Sequence, residues 1–134
     1  MSETRALSER YAEMGRALVE REPLLAPIRD SQATICYLSS DRAKRSKGRA
    51  VFGECERVRD RDKWAVPCDF TVTVYEPNCA GMDEEHLSRL LLHELLHVGI
   101  DADEDGSERY SIRPHDLEDF RECIDRWGVD WATD

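Results

Sequence analysis

Residues 87–97 read Leu87-Ser88-Arg89-Leu90-Leu91-Leu92-His93-Glu94-Leu95-Leu96-His97 and contain the pattern His-Glu-x-x-His. The leucines recur at helical spacing, which predicts an amphipathic helix. Residues four apart lie on the same face of a helix, so His93 and His97 can offer imidazole nitrogens to one metal ion. The pattern indicates zinc, which binds imidazole and keeps one position for water in catalytic sites.

Glu94 follows the first of these histidines and can reach the open side of the ion. A carboxylate there can take a proton from water and later deliver it to a leaving amine. The metal would polarise the scissile carbonyl and lower the pKa of the water toward about 7. The motif therefore predicts hydrolysis with Glu94 as general base and acid. The alternative is a buried amphipathic helix whose two histidines face solvent.

We expect this helix to cover residues 83–99. The acids at residues 83–85 occupy the first turn, where the helix dipole favours negative charge, and Gly99 supplies the stop. His86 lies seven residues before His93, or about 10 Å along the axis, which is too far to share one ion. We therefore expect His86 at the surface.

A zinc site needs a third protein ligand, and the chain has only four histidines. His115 is the leading candidate because it stands where a short extended segment gives way to a further helix. Asp116, Glu118 and the carboxylates of the intervening loop remain competitors, since zinc also accepts oxygen ligands. If His115 binds the ion, Asp116 could instead accept a hydrogen bond that orients an imidazole.

The loop between these segments begins like an EF-hand calcium site, with Asp-Ala-Asp-Glu-Asp-Gly at residues 101–106. The twelfth position of such a loop would be Ile112, where calcium needs a bidentate glutamate. We interpret the segment as an acidic turn exposed to solvent.

Several segments together resemble a known family, the phage metallopeptidases of the wider zincin group. They are residues 48–54 (GRAVFGE), 69–74 (DFTVTV), 93–99 (HELLHVG) and 113–120 (RPHDLEDF), followed by Trp127-Gly128. The resemblance covers roughly residues 30 to 131. It implies a small zincin-like α+β domain, with a short, mostly antiparallel sheet packed against the active-site helix carrying HELLH and with helices at both ends. It also implies a peptide substrate that adds along a sheet edge as an extra strand.

Length and composition favour one domain spanning residues 1–134, in which an N-terminal helix at about residues 1–22 lies outside the resemblance. The apolar fraction of 40% and charged fraction of 36% suit a globular protein. The chain has no long apolar run and no signal-peptide core. We expect a cytoplasmic protein, in the host cell if phage-encoded, with no membrane association.

The five cysteines are odd in number and form no Cys-x-x-Cys pair. They predict neither a disulfide framework nor a zinc ribbon. We expect most of them to be reduced core residues.

Other elements follow from periodicity and from turn residues. We expect a helix over residues 4–21 that ends at Pro23, and a last helix whose inner face is marked by Leu117, Phe120, Ile124 and Trp127. Residues 33–38, 50–58, 70–75 and 110–112 are predicted strands, and 70–75 is the clearest.

A basic region over residues 42–63 contrasts with the net charge of -10. Such a region could bind nucleic acid, but the overall acidity disfavours general affinity for it. We interpret it as a solvated segment whose cations offset the acidic half of the fold.

The sequence thus predicts a zinc-dependent metallopeptidase that holds Zn²⁺ through His93, His97 and His115 and acts on a protein or peptide of unknown identity. The alternative is a non-catalytic, zinc-stabilised module that binds a protein or nucleic-acid partner. A metal hydrolase acting on a non-peptide bond also fits the motif.

Overall fold

The computed structural model describes residues 2–118 and 120–129, which form an α+β fold of short helices and strands. None of the described helices is long and apolar enough to cross a membrane. The helices are α1 (Glu9–Arg21), α2 (Ala26–Arg29), α3 (Glu84–Leu95) and α4 (Arg121–Trp127). The strands are β1 (Arg5–Leu7), β2 (Ile35–Ser40), β3 (Arg45–Ser46), β4 (Arg49–Ala50), β5 (Gly53–Arg57), β6 (Phe70–Tyr75), β7 (Val98–Ala102) and β8 (Glu108–Ile112).

The main sheet has four strands in the order β1-β2-β6-β5. The β2/β6 pair is parallel, whereas β1/β2 and β5/β6 are antiparallel. All six residues of β6 are buried, as suits a central strand rich in β-branched and aromatic residues. The predicted strand at 70–75 is confirmed, and β5 lies at one edge of the sheet.

Two helices and the sheet share one hydrophobic core. Tyr11 and Leu18 of α1 and Leu91 of α3 are buried in the same cluster as the valines of β6. Gly15 allows α1 to approach the sheet closely, since a Cβ there would lie 2.3 Å from the ring of Tyr37. The core holds α3 against the sheet and so fixes the helix that carries the metal motif.

The helix α3 begins as expected and ends earlier than expected. Asp83 is its N-cap, and the Asp83 side chain accepts a hydrogen bond from the amide of His86 at 2.9 Å. The helix stops at Leu95, so His93 and Glu94 lie on it while His97 lies in the turn that follows. The prediction that Gly99 ends the helix is wrong, because Gly99 belongs to β7.

The reason for a glycine at 99 is the hairpin of β7 and β8. Gly99 pairs with Ser111, and a Cβ on Gly99 would lie 2.5 Å from the Ser111 hydroxyl oxygen and 3.0 Å from its carbonyl oxygen. The predicted strand at 110–112 is confirmed and begins earlier, at Glu108. The acidic loop is the turn of this hairpin, where Asp103 pairs with Arg109 at 2.7 Å.

Both ends of the chain differ from expectation. The predicted helix at 4–21 begins at Glu9, because residues 5–7 form β1 and Ser8 caps the helix by accepting a hydrogen bond from the Tyr11 amide. The last helix, α4, begins only at Arg121, so Leu117 and Phe120 precede it. The inner-face prediction is therefore wrong: its four apolar residues are all exposed, namely Leu117, Phe120, Ile124 and Trp127.

Candidate metal centre

Three histidines from separate parts of the chain converge at one end of α3. Nitrogen atoms of His93, His97 and His115 all lie within 4.8 Å of one another. Nε2 of His93 lies 3.1 Å from Nε2 of His115. The competing carboxylates Asp116 and Glu118 are exposed and do not belong to this cluster.

The hairpin β7/β8 brings the third histidine back to the first two. Nδ1 of His97 lies 2.6 Å from the carbonyl oxygen of Arg113, and the Arg113 amide donates to the His97 carbonyl at 2.7 Å. Because the Arg113 carbonyl can only accept a hydrogen bond, Nδ1 of His97 carries the proton, and Nε2 is left as an acceptor. A backbone partner of this kind fixes both the tautomer and the orientation of a metal-binding imidazole.

The electrostatics of His93 favour the form that binds metals. Burial lowers the pKa of His93, and the neighbouring His97 and His115 lower it further. A lowered pKa keeps the imidazole neutral at physiological pH, and only the neutral ring has a lone pair to offer.

The donor set fits zinc in number and in chemistry. Two nitrogens bound tetrahedrally to one zinc ion lie about 3.4 Å apart, close to the separation of the His93 and His115 nitrogens. Imidazole suits zinc and related transition metals, whereas Ca²⁺ and Mg²⁺ prefer oxygen ligands. Three protein ligands would leave a fourth position for water or substrate.

A cavity of about 640 Å³ opens beside the three histidines. Besides these histidines, it is lined by Leu24, Leu96, Arg113, Pro114, Asp116 and Leu117. The three histidines are therefore accessible from this cavity.

Glu94 lies beside the cluster but is buried, with 4% of its surface exposed. Its Oε2 is 4.0 Å from Nε2 of His93. Burial, followed by the negative charge of Glu54, raises the pKa of Glu94 to about 7. A pKa near the working pH is what general acid–base chemistry requires. A cation held by His93 would favour the ionised carboxylate.

Sequence reasoning missed two residues that affect Glu94: Gly53 through close contact and Glu54 through its negative charge. Gly53 at the start of β5 leaves room for Glu94, since a Cβ there would lie 3.3 Å from Cγ of Glu94. Glu54 is itself held by Lys44 and by the Tyr75 hydroxyl, which donates to Glu54 Oε1 at 3.2 Å. Gly53 and Glu54 stand in a segment that carries the family resemblance, but their spacing alone suggests no chemistry.

The remaining histidine lies apart from the centre. The His86 side chain is exposed, and its Nδ1 is 2.6 Å from the carboxylate of Asp83 at the start of α3. This is the expected surface position.

An α+β fold with a three-histidine cluster at the end of a helix defines a protein with a candidate metal site. The sequence matches the family described as "Putative phage metallopeptidase" over residues 5–134, and the chain belongs to this family. The match includes α1, which lies outside the resemblance carried by the sequence motifs. No curated protein and no solved structure shows a significant match to the chain.

Proposed function

We propose that this chain is a zinc-dependent metallopeptidase in which His93, His97 and His115 hold the ion. The observation that carries the proposal is the convergence of these three imidazoles beside a buried carboxylate, Glu94, and an open cavity. Membership of a metallopeptidase family supports a metal and a protein substrate. The three-nitrogen donor set supports zinc in particular.

Zinc bound there would supply a Lewis acid that polarises a substrate carbonyl and makes water acidic near neutral pH. Glu94 would take the proton from the attacking water and pass it to the departing amine. Burial favours the protonated form of Glu94, which helps this carboxyl group hold the proton between the two steps. The hydrogen bond from His97 to Arg113 would keep the imidazole aimed at the ion.

The edge strand β5 is the place where we propose that a peptide binds. The amide of Tyr75 donates to the Phe52 carbonyl and the amide of Val58 donates to the Asp69 carbonyl, which sets the register of the β5/β6 pair. In an antiparallel pair this register directs the backbone groups of Gly53, Cys55 and Arg57 away from β6. A peptide added along them would pass Glu94, which lies against Gly53.

Zinc content and hydrolysis, measured together, test the proposal. His93→Ala, His97→Ala and His115→Ala should each lose stoichiometric zinc and activity, whereas His86→Ala should keep both. Glu94→Gln should keep zinc and lose activity. Full zinc occupancy in the His115→Ala protein would remove His115 from the ligand set, and retention of activity in all three variants would end the proposal.

A further inference from the structure

A positively charged ribbon projects from this acidic protein, formed by β3, β4 and the turn between them. We define the basic ribbon as residues 44–51. The basic ribbon contains four cationic side chains and no acid, in a chain whose net charge is -10. The proposed peptidase chemistry assigns no role to Arg45, Lys47 or Arg49.

Hydrogen bonds at its base hold the basic ribbon in one position. The side-chain amide of Asn78 donates to the carbonyl of Lys44 at 2.8 Å and to the carbonyl of Val51 at 2.7 Å. The Val51 amide also donates to the Lys44 carbonyl at 3.0 Å. Lys44 contacts Glu54, so its charge is already compensated. These hydrogen bonds therefore hold the other cations of the basic ribbon in a fixed position relative to the fold.

The turn at the tip has lysine at position 47, where asparagine or aspartate would be more favourable. Lys47 and Gly48 both have positive φ, at 52° and 77°, and together they form the two-residue loop between Ser46 and Arg49. A two-residue loop of this kind favours Asn-Gly or Asp-Gly, because a side chain like that of lysine disfavours positive φ. The tip thus carries a charge at a conformational cost.

The remaining cations lie on both sides of the basic ribbon, and the Arg45 guanidinium also donates to the Gly48 carbonyl of the turn. Arg45 pairs with Ala50 and Ser46 pairs with Arg49, so Arg45 and Arg49 lie on opposite faces. The side chains of Arg45, Lys47 and Arg49 are all exposed. Among the residues that the structure describes, none of the three forms an ion pair within 4.0 Å. Positive charge therefore covers both faces and the tip.

We propose that the basic ribbon binds double-stranded DNA by inserting between the two phosphate backbones that border the major groove. That groove admits a two-stranded β-ribbon, and it presents negative charge to both faces of an inserted element. An acidic protein surface would contact only one face of the basic ribbon, so the arginine on the other face would have no anionic partner. The major groove of an RNA duplex is too deep and narrow for such an element.

Fluorescence anisotropy with a labelled 25-base-pair duplex of mixed sequence tests this, using the zinc-loaded full chain between 20 and 200 mM salt. Three phosphate contacts should give a slope of log K against log salt of about -3. The triple variant Arg45→Gln, Lys47→Gln, Arg49→Gln should lose at least about tenfold in affinity at low salt and most of the salt dependence. The control variant Arg10→Gln, Arg16→Gln, Arg21→Gln makes the same charge change on α1 and should bind within about twofold of the parent.

Lys47→Asn separates charge from folding. Asparagine favours the conformation found at 47, so the thermal midpoint should stay the same or rise, while the salt slope should fall by about one unit. Absence of binding at 20 mM salt would overturn the proposal, as would equal binding by the triple variant. Binding of polyglutamate that the triple variant loses, without binding of DNA, would assign the basic ribbon to an acidic protein and likewise overturn it.

Discussion

Two hydrogen bonds join His97 to Arg113. The imidazole Nδ1 of His97 donates to the Arg113 carbonyl at 2.6 Å, and the Arg113 amide donates to the His97 carbonyl at 2.7 Å. This pair joins the turn after α3 to the chain leaving β8, two residues before His115. The spacing between the second and third histidines is thus set by closure of a hairpin, and the hairpin depends on the close contact at Gly99.

Gly99→Ala should therefore weaken both the fold and metal binding. The added methyl group would meet the Ser111 hydroxyl and carbonyl oxygens, and such overpacking typically costs about 1–3 kcal/mol. Displacing β8 also moves His115, so the dissociation constant for zinc should rise. Denaturant unfolding and competition with a zinc chelator measure the two effects.

Gly81→Ala is the matched control, because a Cβ at Gly81 meets nothing within 4 Å and its φ is not positive. It should change the free energy of unfolding by no more than about 0.5 kcal/mol. Equal effects of the two substitutions would contradict the role given to the hairpin.

The burial of Glu94 makes stability depend on pH in the metal-free protein. The pKa of Glu94 is raised from 4.5 to about 7 on folding, so its contribution to stability is fully present below pH 4.5 and is lost as the pH rises through 7. Glutamine does not titrate. The stability of Glu94→Gln relative to the parent should therefore increase from pH 4.5 to pH 8, by at most about 3 kcal/mol.

Urea unfolding at pH 5 and pH 8 with a chelator present measures this difference. Glu85→Gln, an exposed change on the same helix, should show no such trend. A difference between parent and Glu94→Gln that is the same at both pH values would show that Glu94 ionises as easily as a surface carboxylate.

The N-cap of α3, Asp83, should contribute to stability. Asp83 accepts a hydrogen bond from the His86 amide, and loss of such a cap typically costs about 1 kcal/mol. Asp83→Ala should lower the free energy of unfolding by this amount, whereas Asp83→Asn should retain most of it. Thermal or urea unfolding of the three proteins gives the comparison, and an unchanged Asp83→Ala protein would argue against the cap.

Metal removal should leave the fold standing. The core formed by α1, α3 and β6 buries Phe70, Leu91 and Leu95 without using the three histidines. After chelation, the far-UV circular dichroism should persist and a cooperative thermal transition should remain, at a lower midpoint. Unfolding at 25 °C on chelation would instead favour the zinc-stabilised binding module.

Local sequence patterns predicted the elements whose signals lie within a few residues of one another. The strand at 70–75 and the start of α3 at Asp83 were readable because β-branched alternation and an acidic cap act within a few residues. The metal-binding set was predicted from residue chemistry, and the structure brings those three histidines together. Their roles as ligands remain a prediction until metal is measured.

The rest depended on contacts between distant residues. The end of α3 could not be read from its leucines, because Gly99 is needed for contact with Ser111 and not as a helix stop. The N-terminal strand was hidden in a helical pattern, because it forms by pairing with β2, more than thirty residues away in the chain. The effects of Gly53 and Glu54 on Glu94 depend on the pairing of β5 with β6, which no local sequence pattern predicts.

Peptide-bond cleavage by two zinc-loaded proteins tests most directly whether Glu94 does proton chemistry at a zinc site. Parent and Glu94→Gln would be incubated with a proteome-derived peptide library, and new termini would be counted by mass spectrometry. We expect new termini with the parent and a rate at least about 10²-fold lower with Glu94→Gln at equal zinc content. No cleavage by the parent, or equal cleavage by both proteins, would contradict this role of Glu94.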